Sequence, residues 1–186
     1  MKIGLILMAS GAGSRFGGNK LFADVGGRPL VDRAMDAYPP TLFHRAIVVS
    51  CYPALLTLAA ARGYRSILNR RADEGISASI HLGMAEMAGT DGVLFAVCDQ
   101  PWLTVESVER LLSAFEAQPD KIAALSWQGR KGNPCLFPPA YYEELSALTG
   151  DRGGGTVIKA HRSALFLVEA LAERELRDVD SPEDLI

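Results

Sequence analysis

Residues 3–20 read Ile3-Gly4-Leu5-Ile6-Leu7-Met8-Ala9-Ser10-Gly11-Ala12-Gly13-Ser14-Arg15-Phe16-Gly17-Gly18-Asn19-Lys20. A short apolar run breaks there into a glycine-rich, basic segment. Consecutive apolar positions, as in Ile3–Ala9, are how a strand buried on both faces is written. The glycines that follow let the chain fold tightly and bring backbone N–H groups close to phosphate oxygens. Two familiar phosphate loops can be tested against the segment. A Walker A loop closes on Gly-Lys-Ser/Thr, whereas Lys20 follows Asn19 and precedes Leu21. A dinucleotide fingerprint needs a third glycine where Phe16 stands, and a carboxylate closing the second strand, which here ends Ser50-Cys51-Tyr52. Neither fits. What remains is a glycine loop with two cations, Arg15 and Lys20, which suits a triphosphate better than backbone dipoles alone. A solvated surface turn is the plainer alternative; the position directly after a first strand favours a ligand.

Outward from this loop, short apolar runs alternate with amphipathic ones. Ala46–Ser50, Arg65–Leu68, Val93–Val97 and Ile122–Ser126 read as further strands. Leu30–Tyr38, Ala54–Arg62, Ser77–Met87 and Thr104–Ala117 read as helices, the last with Val108, Leu111, Leu112 and Phe115 on one face and Thr104 as N-cap. Such alternation predicts an α/β fold in three layers, with helices on both faces of a mostly parallel sheet and right-handed crossovers. Past Trp127 the rhythm changes. Gln128–Asn133 reads as a polar turn and Pro134–Phe137 as a short strand, the candidate antiparallel element. Pro139–Leu148 reads as a helix, Gly150–Gly155 as a second glycine loop, and Ser181-Pro182-Glu183-Asp184 as the opening of a short final helix. With no linker or repeat, residues 1–186 read as one domain. In sheets of this kind ligands sit beyond the carboxyl ends of the strands, here after Ala9, Ser50, Leu68 and Val97.

Composition narrows the partners. At 186 residues and 48% hydrophobic, the chain can bury a real core, and a net charge of −3 offers no general attraction to nucleic acid or an anionic membrane. A phosphorylated ligand would need local cations. No apolar stretch approaches the roughly 20 residues of a membrane span. Lys2 before an apolar run faintly resembles a signal peptide, but the run is short and leads straight into the glycine loop. Cys51, Cys98 and Cys135 are scattered and odd in number, which suits a reduced, cytoplasmic protein.

The stretch Met8–Lys20 resembles the L-A-A-G-x-G-x-R-[FM]-G-x-x-K signature of the MobA-like NTP transferases. Asn69 with Glu74-Gly75-Ile76-Ser77-Ala78-Ser79, Cys98-Asp99-Gln100-Pro101, Gly132–Phe137, Leu148–Gly154 and Asp178–Leu185 are similar to later motifs of that family, in the same order and from end to end. The resemblance implies a Rossmann-like nucleotidyltransferase fold and a magnesium-dependent reaction. Within the family the later motifs are most similar to the molybdenum cofactor cytidylyltransferases. That implies transfer of CMP from CTP to molybdopterin with release of pyrophosphate, and a molybdoenzyme client as a further partner. Ser10 stands where CTP-using members usually carry alanine and GTP-using members glycine.

From the same reading come the site residues. Ala9, Ser10, Gly11, Ala12, Gly13, Ser14, Arg15 and Lys20 would embrace the nucleotide, with Arg15 and Lys20 on its triphosphate. Asp99 ends an apolar strand at the crevice and is expected to bind both nucleotide and Mg²⁺. Asp151, by itself a turn former between glycines, becomes the second metal ligand through the resemblance. Asn69, Ser77 and Ser79 could bond base or ribose, though Ser77 could equally cap a helix. Arg130 and Lys131 read as a solvated turn that could reach an acceptor phosphate. The three histidines show no metal spacing, and the cysteines read as core. Three rival readings stay open: a transferase using another NTP or phosphorylated acceptor, a non-catalytic cofactor chaperone, and an oxidoreductase.

Overall fold

The structure is a computed structural model that describes residues 1–11 and 19–185. Its centre is a seven-stranded sheet built from β1 (Ile3–Met8), β2 (Arg45–Ser50), β3 (Arg65–Leu68), β4 (Gly92–Val97), β5 (Ile122–Trp127), β6 (Arg130–Phe137) and β7 (Leu165–Glu169), in the order β3-β2-β1-β4-β6-β5-β7. Neighbours run parallel except β6, which is antiparallel to both β4 and β5. The registers bring strand ends level: Met8 lies opposite Val49 on one side and Val97 on the other, and Ser50 opposite Leu68.

The helices are α1 (Leu30–Met35), α2 (Pro53–Ala61), α3 (Ile76–Met84), α4 (Val105–Ala117), α5 (Tyr142–Ser146) and α6 (Gly154–Ala160). Side chains alternate across a strand, so Leu5 and Leu7 face one layer and Ile6 the other. The first layer packs Leu5, Leu7, Val48 and Leu94 against Leu30 and Val31 of α1, Leu55 of α2, and Val108, Leu111 and Phe115 of α4. The second packs Ile6, Ile47, Val93 and Phe95 against Ile80 and Met84 of α3, Leu145 of α5 and Val157 of α6. Both sheet faces are covered, which is why the strands are apolar at consecutive positions. Among the described residues no helix is long and apolar enough to cross a membrane.

Five sequence expectations change. The turn read over residues 128–133 shrinks to Gln128 (φ 49°) and Gly129 (φ 75°), a two-residue hairpin connection, and Arg130–Asn133 already belong to β6. Pro139–Leu148 splits into a 3₁₀ turn, Pro139–Tyr141, and the short α5. The second glycine loop stops at Gly153, because Gly154 and Gly155 open α6. β7 has no counterpart in the sequence reading; it pairs with β5 at the edge of the sheet and is half exposed. The final helix is a single 3₁₀ turn, Pro182–Leu185, in which the Asp184 carboxylate accepts from the backbone N–H and hydroxyl of Ser181.

Candidate nucleotide site

The level ends of β1, β2 and β4 open into a cavity of about 590 Å³. Ala9, Ser10 and Gly11 line it after β1, Cys51 and Tyr52 after β2, and Cys98 and Asp99 after β4. Gly75, Ile76 and Ser79, from the start of α3, close another side together with Asp151, and Lys20 completes the wall. The chain leaving β1 is tied down twice. Ser50 Oγ donates to the Ala9 carbonyl at 2.8 Å, and Tyr52 Oη donates to the Gly11 carbonyl at 3.1 Å. The glycine loop thus leaves from a fixed base; Ala12, Gly13, Ser14 and Arg15 lie outside the described residues.

Lys20 is the junction of three segments. Asn19 caps the 3₁₀ turn Lys20–Phe22 through its side-chain oxygen. The Lys20 Nζ then donates to Asp99 Oδ2 at 2.8 Å, the Val179 carbonyl at 2.9 Å and Asp180 Oδ1 at 3.1 Å. Its side chain is only 12% exposed. Burial works against the charged ammonium, but hydrogen bonds and charge from Asp99, then Asp180, outweigh it and hold the Lys20 pKa above the ordinary lysine value. The residue is a fixed cation at the cavity wall.

The segment 176–180 is seated along the end of β4. The Val179 N–H donates to the Asp99 carbonyl, and Gln100 Nε2 donates to Asp178 Oδ1 at 2.8 Å. Burial and the nearby charge of Asp99 raise the Asp178 pKa, against the Gln100 hydrogen bond. Upstream, Glu175 is 3% exposed, and its carboxylate accepts from the Thr104 N–H and hydroxyl, the Ser107 hydroxyl and the Leu171 N–H. It locks this segment onto the N-terminus of α4, whose cap is Thr104 as the sequence suggested.

Of the residues singled out from sequence, Ala9, Ser10, Gly11, Lys20, Ser79, Asp99 and Asp151 line this one cavity. Asn69 and Ser77 are buried outside its lining. Asn69 Nδ2 donates to Ser79 Oγ at 3.0 Å, Ser79 Oγ donates to Ser10 Oγ at 3.3 Å, and Asn69 Oδ1 receives the Arg71 N–H. Asn69 therefore braces two cavity hydroxyls. The Ser77 N–H donates to the Gly150 carbonyl at 3.1 Å, tying α3 to the loop that carries Asp151, while Gly75 takes the N-cap position. Cys51 lines the cavity half-exposed, unlike the buried Cys98 and Cys135. Sequence reading passed over Glu175 and placed Asp178 and Asp180 in a closing motif without giving them a role; their Asp-x-Asp spacing was the available signal.

Asp99 Oδ1 is buried without a hydrogen-bond partner among the described residues. A carboxylate oxygen buried without a partner is costly unless something binds it; Asp99 lines the cavity, and a hard cation there suits its carboxylate. No group of three His, Cys, Asp or Glu side chains arranged to hold a metal occurs among the described residues. Mg²⁺ takes one or two carboxylates and completes its shell with phosphates and water, and Asp99 and Asp151 both line the cavity.

A glycine-rich sequence after the first strand, a part-buried lysine–aspartate pair at the crevice and a cavity at the carboxyl edge of a mostly parallel sheet fit a nucleotidyltransferase. Residues 5–165 match the MobA-like NTP transferase domain, and the chain belongs to that family. By sequence it is similar to nicotine blue oxidoreductase of Paenarthrobacter nicotinovorans, 27% identical over 97% of this chain and 93% of that protein. It is also similar to the molybdenum cofactor guanylyltransferase of Desulfosudis oleivorans, 26% identical over 94% and 83%. A nucleotidyl transferase from Methanothermobacter thermautotroptrophicus superposes with a TM-score of 0.80 at 21% identity over 98% of this chain and 94% of that one, which shows a shared fold.

Proposed function

We propose that this transferase joins CMP from CTP to molybdopterin and releases pyrophosphate. The observation that carries the reading is the junction of Lys20, Asp99 and Asp180 over a cavity large enough for a nucleotide. An oxygen of the acceptor's phosphate attacks the α-phosphorus. A new P–O bond forms there as the bond to the bridging oxygen breaks, and the electron pair departs with pyrophosphate. The attacking phosphate is already largely ionised near neutral pH and needs no base. Catalysis is then positioning and charge neutralisation. Lys20, held protonated, offers its ammonium to the triphosphate, and Arg15 adds a second cation. The glycine-rich sequence from Ala9 to Ser14 is assigned to the phosphates. Ser10 and Ser79, braced by Asn69, present hydroxyls to the base or ribose. Asp99 and Asp151, which both line the cavity, would hold Mg²⁺, and the ion would neutralise charge that develops on the phosphates. The likeness to a molybdenum cofactor guanylyltransferase supports a pterin acceptor. It also makes the base the point to test: turnover of CTP against GTP with molybdopterin, followed by product mass, decides it. A clear GTP preference overturns the cytidylyl assignment.

The likeness to nicotine blue oxidoreductase favours a second reading, hydride transfer from a nicotinamide cofactor. Against it, β2 ends at Ser50, followed by Cys51 and Tyr52, with no carboxylate to take ribose hydroxyls. Oxidation of NADH or NADPH, with no pyrophosphate released from any NTP, would establish that reading instead.

A further inference from the structure

A lysine ammonium has three N–H groups, and the fold uses all three of Lys20: on Asp99 Oδ2 at 2.8 Å, the Val179 carbonyl at 2.9 Å and Asp180 Oδ1 at 3.1 Å. Lys20 and Asp99 line the nucleotide cavity, whereas Val179 and Asp180 do not. Two of the three bonds therefore go to a segment outside the site. A phosphate oxygen that takes a hydrogen from this ammonium must displace one of its acceptors.

The three acceptors are not equally held. Val179 is fully buried in the first layer, and its N–H donates to the Asp99 carbonyl at 2.9 Å. Asp99 closes β4 and is itself part of the cavity wall. Asp180 makes the longest of the three bonds, and its side chain is 59% exposed, so water can replace Lys20 as its partner at little cost. Beyond it the chain folds on itself. The Asp184 carboxylate accepts from the N–H groups of Asp180 and Ser181 and from the Ser181 hydroxyl. Among the described residues, the Lys20–Asp180 contact is the only hydrogen bond or ion pair between residues 180–185 and the rest of the chain.

Charge points the same way. Asp99, Asp178 and Asp180 gather near a single lysine, and the crowding shows in Asp178, whose pKa is raised by burial and then by the charges of Asp99 and Asp180. A triphosphate brought to Lys20 meets these carboxylates as like charges. Turning the exposed one into solvent relieves that repulsion and frees a hydrogen in the same movement.

We infer that Asp180 is an internal competitor for the nucleotide's phosphate, and that residues 180–185 form a latch which nucleotide binding opens. A phosphate oxygen takes the Lys20 hydrogen that Asp180 holds, the Asp180 carboxylate turns to water, and the closing turn loses its tie to the body. Val179 stays in the core and marks where the movement stops. The inference rests on the nucleotide site of the transferase reading. It adds a residue that sets NTP affinity and a segment that reports occupancy.

Backbone NMR suits a chain of 186 residues. The heteronuclear NOE of the amides in 180–185 should fall when a non-hydrolysable CTP analogue with Mg²⁺ saturates the protein, while that of Val179 stays high. Asp180→Asn and Asp180→Ala should show the lower values before nucleotide is added, with no further fall afterwards. By calorimetry, both variants should bind the analogue roughly two- to fivefold more tightly than wild type, the scale of one exposed ion pair. The sign separates the roles: a purely structural carboxylate gives no gain in affinity, and one that helped to hold the metal gives a loss. Equal or weaker binding in both variants, or a closing turn that stays as ordered with the analogue bound, overturns the latch and leaves the nucleotide site standing. Failure of the reading beneath it looks different. If wild type binds no NTP, nucleotide site and latch fall together, even where Asp180→Asn loosens the turn.

Discussion

Lys20→Met keeps much of the side chain's length and deletes its charge, and the structure sets what that should cost. In the sequence alone Lys20 is a loop lysine, whose loss would barely touch stability. In the fold its ammonium serves Asp99, the Val179 carbonyl and Asp180 from a position only 12% exposed. Asp180 is 59% exposed, so that pair contributes little. Asp99 is 23% exposed, and its Oδ1 already lacks a partner among the described residues, so removing Lys20 takes away the one cation that pairs with its carboxylate there. A hydrogen bond to a charged group contributes about 1.5–3 kcal/mol. Counting the Asp99 bond in full and the other two as minor gives roughly 2–3 kcal/mol. For a chain of this size that is a fall in Tm of roughly 5–10 °C. Differential scanning fluorimetry of Lys20→Met, Asp99→Asn and the double variant reads it directly. The double variant should be less destabilised than the sum of the singles by about 1 kcal/mol or more, as coupled neighbours are. NTP turnover should fall beyond the stability loss, on the order of 100-fold or more. A Lys20→Met protein that melts with the wild type, and a cycle that is strictly additive, would refute the junction.

Glu175→Ala removes a buried carboxylate and strands the donors of Thr104, Ser107 and Leu171. It should cost roughly 3–5 kcal/mol, about 10 °C or more in a thermal melt, and lower turnover because the 176–180 segment loses its anchor. Gly75→Ala meets a positive φ of 96° and sets a Cβ 2.5 Å from the Gly150 backbone. A loss of about 2 kcal/mol or more is expected, together with weaker NTP binding as the loop bearing Asp151 shifts. Glu169 holds the hairpin turn through the N–H groups of Gly129 and Gln128 and the Ser126 hydroxyl, and those bonds lower its pKa. Its contribution is therefore present above the usual glutamate range, about pH 4.3, and is lost as pH falls through the depressed folded value. Melts of wild type and Glu169→Gln should differ near pH 7 and converge in acid; a constant gap would contradict the assignment.

The strands β1, β2, β4 and β5 were legible because strands buried on both faces spell themselves as apolar runs, and Ile3–Met8 and Gly92–Val97 differ from their readings by one residue at an end; β3, exposed at the sheet edge, carries only Ile67 and Leu68 as apolar signal. β6 was half legible. Its polar first half, Arg130–Asn133, reaches past β4 toward solvent and carries no apolar signal. The site was legible where chemistry and strand ends coincide, at Lys20 and Asp99. It was not legible where tertiary contacts decide the role. Asn69 looks like a ligand residue at a strand end, but its amide is spent on Ser79 and Arg71. Asp180 lies 160 residues from Lys20, in a stretch read only as a closing motif before a short helix, and only the fold joins them. Glu175 gives no local hint of burial in a sequence as charged as Glu173-Arg174-Glu175.

Pyrophosphate release from each NTP, with Mg²⁺ and molybdopterin, compared between wild type and Asp99→Asn, addresses the central claim most directly. Asp99→Asn keeps the side chain's shape and removes the charge that Lys20 and the metal would share. Wild type should release pyrophosphate and yield a dinucleotide product of matching mass, with CTP preferred. The folded Asp99→Asn protein should fall by two to three orders of magnitude, about 3–4 kcal/mol of lost electrostatic stabilisation. No pyrophosphate from wild type with any NTP, or near-native release by Asp99→Asn at low Mg²⁺, would contradict the account.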